Sequence, residues 1–292
     1  MDRLARLEAT SMHILREAHA CFRPLGMLWS MGKDSTVLLW LARRAFFGHV
    51  PFPLVHVDTS YKIPQMIEWR DRVAREWKLD LIVGKNERAL AEGTTYPCGT
   101  VDRRACCHLL KSEALRETLA GTGRRHRYDP ASDQWAVEDR GAAFHAVIAG
   151  IRADEEGSRS KERVFSPRGV DNTWDVAEQP PELWNQYKTD FAPGTHVRVH
   201  PLLDWTEVDI WAYIQRESIP VLPLYFDDGA GMRYRSLGCA PCTQAVASSA
   251  RSIEEVLAEL EHGALQRVAE RSGRAQDAQD GGLEALRREG YM

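Results

Sequence analysis

Lys33 and its neighbours are the densest concentration of chemistry in the chain. Residues 26–38 read Gly-Met-Leu-Trp-Ser-Met-Gly-Lys-Asp-Ser-Thr-Val-Leu, a short apolar run that breaks at Ser30-Met31-Gly32-Lys33-Asp34-Ser35 and resumes with helical spacing. The pattern predicts strand, tight loop, helix. Such a junction offers backbone N–H groups and a positive helix end to an anion. Gly32 lets backbone approach closely, and Ser30, Lys33 and Ser35 supply polar ligands. Phosphate is the natural guest. A Walker A loop needs Gly, four residues, then Gly-Lys-Ser/Thr, so γ-phosphate cleavage is not what this spacing encodes. The bland alternative is a surface βα turn rich in small polar residues.

Two further groups stand out. The six cysteines include the adjacent pair Cys106-Cys107 and a Cys-x-x-Cys at Cys239 and Cys242; this is no secreted disulfide framework, and in a reducing compartment it suggests metal. The run from Ile151 to Arg163 is densely charged. Such runs usually form solvated helix faces, but this one follows directly on the apolar strand Phe144–Gly150, and strand ends are where open α/β sheets bind ligands. By the same rule His56, Asp58 and Thr59, ending the apolar run from Pro51, fall near a nucleotide.

The elements that must position these groups follow from hydrophobic patterning. Residues 2–20 read as an amphipathic helix, Pro64 to Trp77 as a helix with proline in its first turn, and Leu79 to Val83 as a short strand. A helix is expected over 113–119, a strand from His196, and a helix over 208–214 with Thr206 or Asp204 as N-cap. Residues 121–141 read as a mobile surface loop and 167–195 as proline-rich loop. A helix over 253–260 precedes a polar tail weakly ordered beyond Gly273. This gives an α/β fold with a mostly parallel sheet flanked by helices, in a domain over 1–225 and a C-terminal loop and helix extension over 226–292. With 292 residues, 43% hydrophobic content and a net charge of −4, the chain can bury a large core and carries no global basic field for nucleic acid. No apolar stretch approaches the roughly 20 residues of a membrane span, and the N-terminus lacks a signal peptide's apolar core, so a cytoplasmic location is expected.

The loop at Ser30–Ser35 resembles the PP-loop of ATP pyrophosphatases, usually Ser-Gly-Gly-Lys-Asp-Ser. Met31 replaces the first glycine, which a negative φ there would accommodate. Together with His56-Val-Asp-Thr59, residues 150–163, Asp204-Trp-Thr-Glu-Val-Asp-Ile-Trp211, Tyr234-Arg-Ser-Leu-Gly-Cys239 and Arg287-Arg-Glu-Gly-Tyr291, the chain is similar to the small subunit of bacterial sulfate adenylyltransferase over nearly its whole length. The resemblance implies an adenine nucleotide α hydrolase-like sheet with ATP across its strand ends, bound by Ser30, Gly32, Lys33, Asp34, Ser35, His56, Asp58 and Gly150. It implies pyrophosphate held by Lys33 and Ser35, and Arg152, Arg159, Lys161 and Arg163 facing an oxyanion. Mg²⁺ would accompany ATP, on Asp34 or Asp58.

The cysteine pattern also resembles the iron–sulfur ligand set of assimilatory adenylylsulfate reductases. That resemblance implies a [4Fe–4S] cluster on Cys106, Cys107, Cys239 and Cys242, with Zn²⁺ as the alternative and Cys98 in reserve. Cys21 reads as an ordinary buried thiol. The reductases' C-terminal catalytic cysteine has no counterpart after Cys242. These features lead to an expectation of sulfur transfer: an ATP pyrophosphatase that adenylylates DNA backbone phosphate for phosphorothioation, reaching nucleic acid through a complex with a cysteine desulfurase and a DNA-handling ATPase. The alternatives are a sulfate adenylyltransferase small subunit partnered by a GTPase large subunit, and a non-catalytic nucleotide-binding scaffold.

Overall fold

The computed structural model describes residues 2–155, 157, 159–169, 173–184, 186–263 and 270. Helix α1 (Arg3–Cys21) leads into strand β1 (Leu25–Leu28), followed by α2 (Lys33–Ala45), β2 (Leu54–Val57), α3 (Pro64–Glu76) and β3 (Leu81–Gly84). Next come α4 (Glu87–Ala91), α5 (Arg103–Cys107), a π-helical turn His108–Glu113 and α6 (Ala114–Ala120). Strands β4 (Arg125–Asp129), β5 (Gln134–Glu138), β6 (Ala146–Ile148), β7 (Phe165–Arg168) and β8 (His196–Val199) precede α7 (Glu207–Glu217). The short strands β9 (Met232–Arg233) and β10 (Val246–Ala247) pair with each other, and α8 (Ile253–His262) follows.

An eight-stranded sheet runs in the order β5-β4-β3-β2-β1-β6-β8-β7. Its centre, β3-β2-β1-β6-β8, is parallel, and antiparallel strands flank both sides. Both faces are covered, which is why the central strands read as unbroken apolar runs. Met27, Leu54, Leu81, Val83, Ala146 and Ile148 join one core, with residues of α1, α2, α3 and α7. The alternating positions Leu28, Val55, Ile82 and Val147 pack against Leu115 and Leu119 of α6 on the other face. Contact there is close: a Cβ on Gly84 would fall 1.9 Å from the Thr118 hydroxyl oxygen.

The chain winds outward from β1 through β2 to β3 and then returns to place β6 on the other side of β1. That reversal opens a crevice at the carboxyl ends of β1 and β6, the ligand position in this fold class. Register brings the ends level, with Leu25 opposite Ala146 and Met27 opposite Ile148, so Ser30 and Gly150 leave the sheet side by side.

Local signals account for the helices. Asp2 caps α1 by accepting from Ala5 N at 2.6 Å, and Thr206 with Asp209 forms a capping box at α7.

Three expectations are corrected. Residues 121–141 hold the hairpin β4–β5, not a structureless loop: Tyr128 is buried while Trp135 and Val137 stay exposed, and Arg125–Glu138 and Arg127–Asp80 pairs at 2.7 and 2.6 Å fasten it. A polar edge hairpin lacks the apolar alternation that announces strands. Helical structure begins at Arg103, ten residues before the predicted start, because Asp102 caps Ala105 N at 2.7 Å and the π turn carries the helix onward. The edge strand Phe165–Arg168 on β8 extends into the first two residues of the expected 167–195 loop; its Pro167 is tolerated because an edge strand has a free side. The tail beyond Gly273 and residues 287–291 lie outside the described residues.

Candidate active site

The loop closing β1 turns into α2 through Met31 and Gly32. Gly32 is the N-cap residue, so the first-turn N–H groups of Asp34 and Ser35 have no helical carbonyl to bind. The Lys33 N–H donates to the Tyr225 hydroxyl at 2.7 Å. Ser35 Oγ donates to Gly32 O at 3.0 Å, accepts from Ser30 N at 3.3 Å and lies 3.2 Å from Ser30 Oγ, which knots the loop on itself. Gly150 abuts this turn: a Cβ there would meet Ser35 Cα at 3.2 Å and Ser35 N at 3.3 Å.

Met31 does not keep a negative φ. It sits at +62°, in the left-handed region, with its side chain buried in the core. The conformation costs about 1–2 kcal/mol for a residue with a Cβ. Burying a methionine side chain gains about 1.5–3 kcal/mol, so packing holds the turn that glycine would adopt freely.

Ser30, Gly32, Lys33, Asp34, Ser35, His56, Gly150 and Arg159 line one cavity at the crevice. Arg152 is fully buried beside it and pairs with Asp34 and, at 2.9 Å, with Asp154. The Arg152 backbone N–H donates to Glu155 at 3.1 Å, and the Glu155 carboxylate pairs with Arg159. Arg159 is nine-tenths buried, and its Nε has no hydrogen-bond partner among the described residues. Lys161 is exposed, Arg163 donates to Pro180 O at 3.1 Å, and Asp58 pairs with Lys85 at 2.9 Å; none of the three lines the cavity.

Sequence reading missed several members. Glu270 also lines the cavity and pairs with both Lys33 and Arg152. Burial opposes its ionisation, yet the two cations hold its carboxyl well below the usual range. Glu207 approaches Lys33 Nζ at 4.0 Å while bound to Arg235 at 2.7 Å. Carboxylate oxygens of Asp34, Glu155 and Glu270 lie within 4.8 Å of one another. Glu155 stood in the charged run and could have been flagged there; Glu270, 237 residues from Lys33, carried no signal.

The cysteines converge beside this cavity. Thr59 Oγ1 lies 3.1 Å from Cys239 Sγ, and Ala240 N donates to Tyr61 O at 2.7 Å. Burial pushes the Cys106 thiol up, as do the charges of Cys107 and Cys239; burial followed by Cys239 and Cys107 does the same to Cys242. Cys98 is exposed and its thiol is lowered by hydrogen bonding to Thr95 and Tyr61; Cys21 is exposed as well, not buried.

His56 is fully buried. Its Nδ1 donates to Trp29 O at 3.0 Å, and burial first, then Lys62 and Arg70, lowers it to about 3. His196 is lowered to about 4 by burial and Arg198.

Residues 24–245 match the phosphoadenosine phosphosulfate reductase domain. The chain is 43% identical to "sulfate adenylyltransferase subunit 2" of Rhizobium tropici, covering 99% of this chain and 93% of the relative. It is 40% identical to the protein of that name from Geotalea uraniireducens, over 100% and 99%. Among solved structures, a phosphoadenylyl-sulfate reductase from Candida auris in a phosphate complex aligns with a TM-score of 0.53 at 18% identity, over 84% of this chain and 98% of that one. A Candida glabrata FMN adenylyltransferase with FAD and pyrophosphate aligns at 0.52 and 18%, over 82% and 64%. The two structures share the fold with this chain.

These matches overturn the expectation of DNA phosphate as acceptor. Full-length relatives at 40 and 43% identity carry the sulfate adenylyltransferase name, so the alternative reading fits better. The desulfurase and DNA-handling ATPase fall with it. No described helix is long and apolar enough to cross a membrane.

The buried histidines predict a pH dependence. Each refuses in the folded state a proton that the unfolded chain takes near pH 6.5, so stability is complete above that value and falls as pH drops toward 4. Urea unfolding at pH 7, 6 and 5 should show a steadily lower free energy, with a shallower fall in His196→Asn. A flat profile would contradict neutral, buried imidazoles.

Proposed function

The chain belongs to the phosphoadenosine phosphosulfate reductase domain family, and from that premise we propose that it is an adenylyltransferase of sulfur metabolism that joins AMP from ATP to sulfate. One observation carries the reading. Arg159 brings a buried guanidinium N–H without a partner among the described residues to the cavity that the PP-loop closes, which is the setting an incoming oxyanion requires.

A sulfate oxygen attacks the α-phosphorus of ATP, the bond from that phosphorus to the bridging oxygen breaks, and pyrophosphate departs with the electron pair. The α2 N-terminus, Lys33, Ser30 and Ser35, with Arg152 beside Lys33, receive the charge that builds on pyrophosphate, while Arg159 holds sulfate and screens its repulsion from the nucleotide. Asp34 and Glu155, whose carboxylates lie close together, would hold Mg²⁺, whereas Asp58 is taken by Lys85. His56 and Gly150 border the nucleotide from the neighbouring strand ends. A GTPase large subunit is the partner this reading entails, with the pair working in the cytoplasm.

The four thiols suit a metal. Burial and the neighbouring thiols disfavour the thiolates of Cys106 and Cys242, a penalty that a bound cation removes. Cys106, Cys107, Cys239 and Cys242 would hold a [4Fe–4S] cluster or Zn²⁺, which supplies fixed charge at the cavity's edge. Metal analysis of anaerobically purified protein should find iron with sulfide, or zinc, and Cys242→Ser should lower it; metal-free protein with unchanged stability refutes this assignment.

For the reaction, the chain with its large subunit, ATP, GTP and sulfate should yield adenylylsulfate by mass spectrometry. Arg159→Gln removes a charge-assisted hydrogen bond of about 1.5–3 kcal/mol, so the KM for sulfate should rise about 10- to 100-fold with that for ATP little changed. Equal effects on both substrates would contradict the assignment of Arg159 to the acceptor.

A further inference from the structure

Glu270 binds cations that are far from it in sequence. It lies 237 residues from Lys33 and 118 from Arg152, yet pairs with both and is itself buried. Lys33 and Arg152 already have other counter-ions. Asp34 pairs with each of them, Asp154 with Arg152 at 2.9 Å, and Glu207 stands 4.0 Å from Lys33 Nζ. Among the described residues the network extends through Arg159 on Glu155 and Arg235 on Glu207. A polyanion approaching Lys33 and Arg152 meets two cations that already carry counter-ions.

Geometry singles out which carboxylate must yield. Asp34 is in the first turn of α2, Asp154 and Glu155 follow β6 closely, and Glu207 begins α7, so all four are fixed by the elements that build the crevice. Glu207 and Asp154 are further tied together, since Glu207 N donates to Asp154 at 2.9 Å. Glu270 lies beyond α8, outside every one of these elements, and reaches the cavity from the C-terminal side of the chain. Its two carboxylate oxygens divide between the two cations, one on Lys33 Nζ and the other on an Arg152 Nη. Two oxygens of one phosphoryl group would meet the same donors in the same way.

We propose that Glu270 is an internal anion of the phosphate site, occupying between Lys33 and Arg152 the seat that a pyrophosphate oxygen pair takes in turnover, so that nucleotide and Glu270 compete for the same two cations. The proposal rests on the adenylyltransferase reading for its ligand. Such a carboxylate satisfies the remaining donors of two buried cations while the site waits, since a buried N–H left without a partner is destabilising. It also sets the nucleotide's apparent affinity, because binding is reduced by the fraction of molecules whose seat is already filled.

The test is pyrophosphate binding to the full chain by isothermal titration calorimetry in the presence of Mg²⁺, for wild type, Glu270→Gln and Glu270→Asp. Glu270→Gln keeps the shape and removes the charge, and should bind pyrophosphate at least about tenfold more tightly. In thermal melts its ligand-free form should unfold at a lower temperature than wild type, and pyrophosphate should raise that temperature by more than it does in wild type. Glu270→Asp, with a shorter reach, should tighten binding in the same direction by less, and serves as the reading if Glu270→Gln does not fold. Unchanged or weaker pyrophosphate binding overturns the proposal and makes Glu270 a brace or a Mg²⁺ ligand. Tighter binding in a protein that makes no adenylylsulfate leaves the internal anion standing and refutes the sulfate reading instead.

Discussion

Two cations with almost no access to water, Lys33 and Arg152, govern this structure. Removing an ammonium or guanidinium from water costs several kcal/mol, which only close, well-directed anions recover. The fold meets that demand from distant parts of the chain. Asp34 comes from the turn after β1, Asp154 from the turn after β6, Glu207 from the start of α7 and Glu270 from beyond α8. Bringing such segments to one point is what the strand reversal beside β1 accomplishes, and it explains why the site lies where the sheet changes direction.

The same constraint explains the tightness of the loop. Met31 holds a left-handed conformation, a side chain at Gly150 would crowd the Ser35 backbone, and Tyr225 braces the first N–H of α2. Each is a local cost or close approach that an unstrained turn would avoid. Together they keep the helix end aimed into the cavity, so its dipole and the two cations act on one point. An anion arriving there finds its donors already oriented and loses little to rearrangement.

The sequence made the parts with local causes legible. The strand, loop and helix at Ser30–Ser35 announce themselves because composition changes sharply there, and the central strands do so because both their faces are buried. The β4–β5 hairpin was illegible because edge strands with ion-paired surfaces resemble polar loops. Met31 misled for a different reason: a glycine-like φ can be held by core packing, which no motif displays. Glu270 could not have been found at all, since its role is defined by residues far away in the chain. The acceptor was misread because four cysteines are conspicuous while a likeness spread over the whole chain is diffuse; the diffuse signal was the better guide to chemistry.

The central claim is that this pocket breaks ATP between its α- and β-phosphates when sulfate is present. The most direct measurement is exchange of radiolabelled pyrophosphate into ATP by the chain with its large subunit, with and without sulfate. The account predicts label in ATP that depends on sulfate and vanishes in Lys33→Ala. Label that enters ATP equally without sulfate, or accumulation of ADP and orthophosphate in place of AMP-linked product, would contradict it.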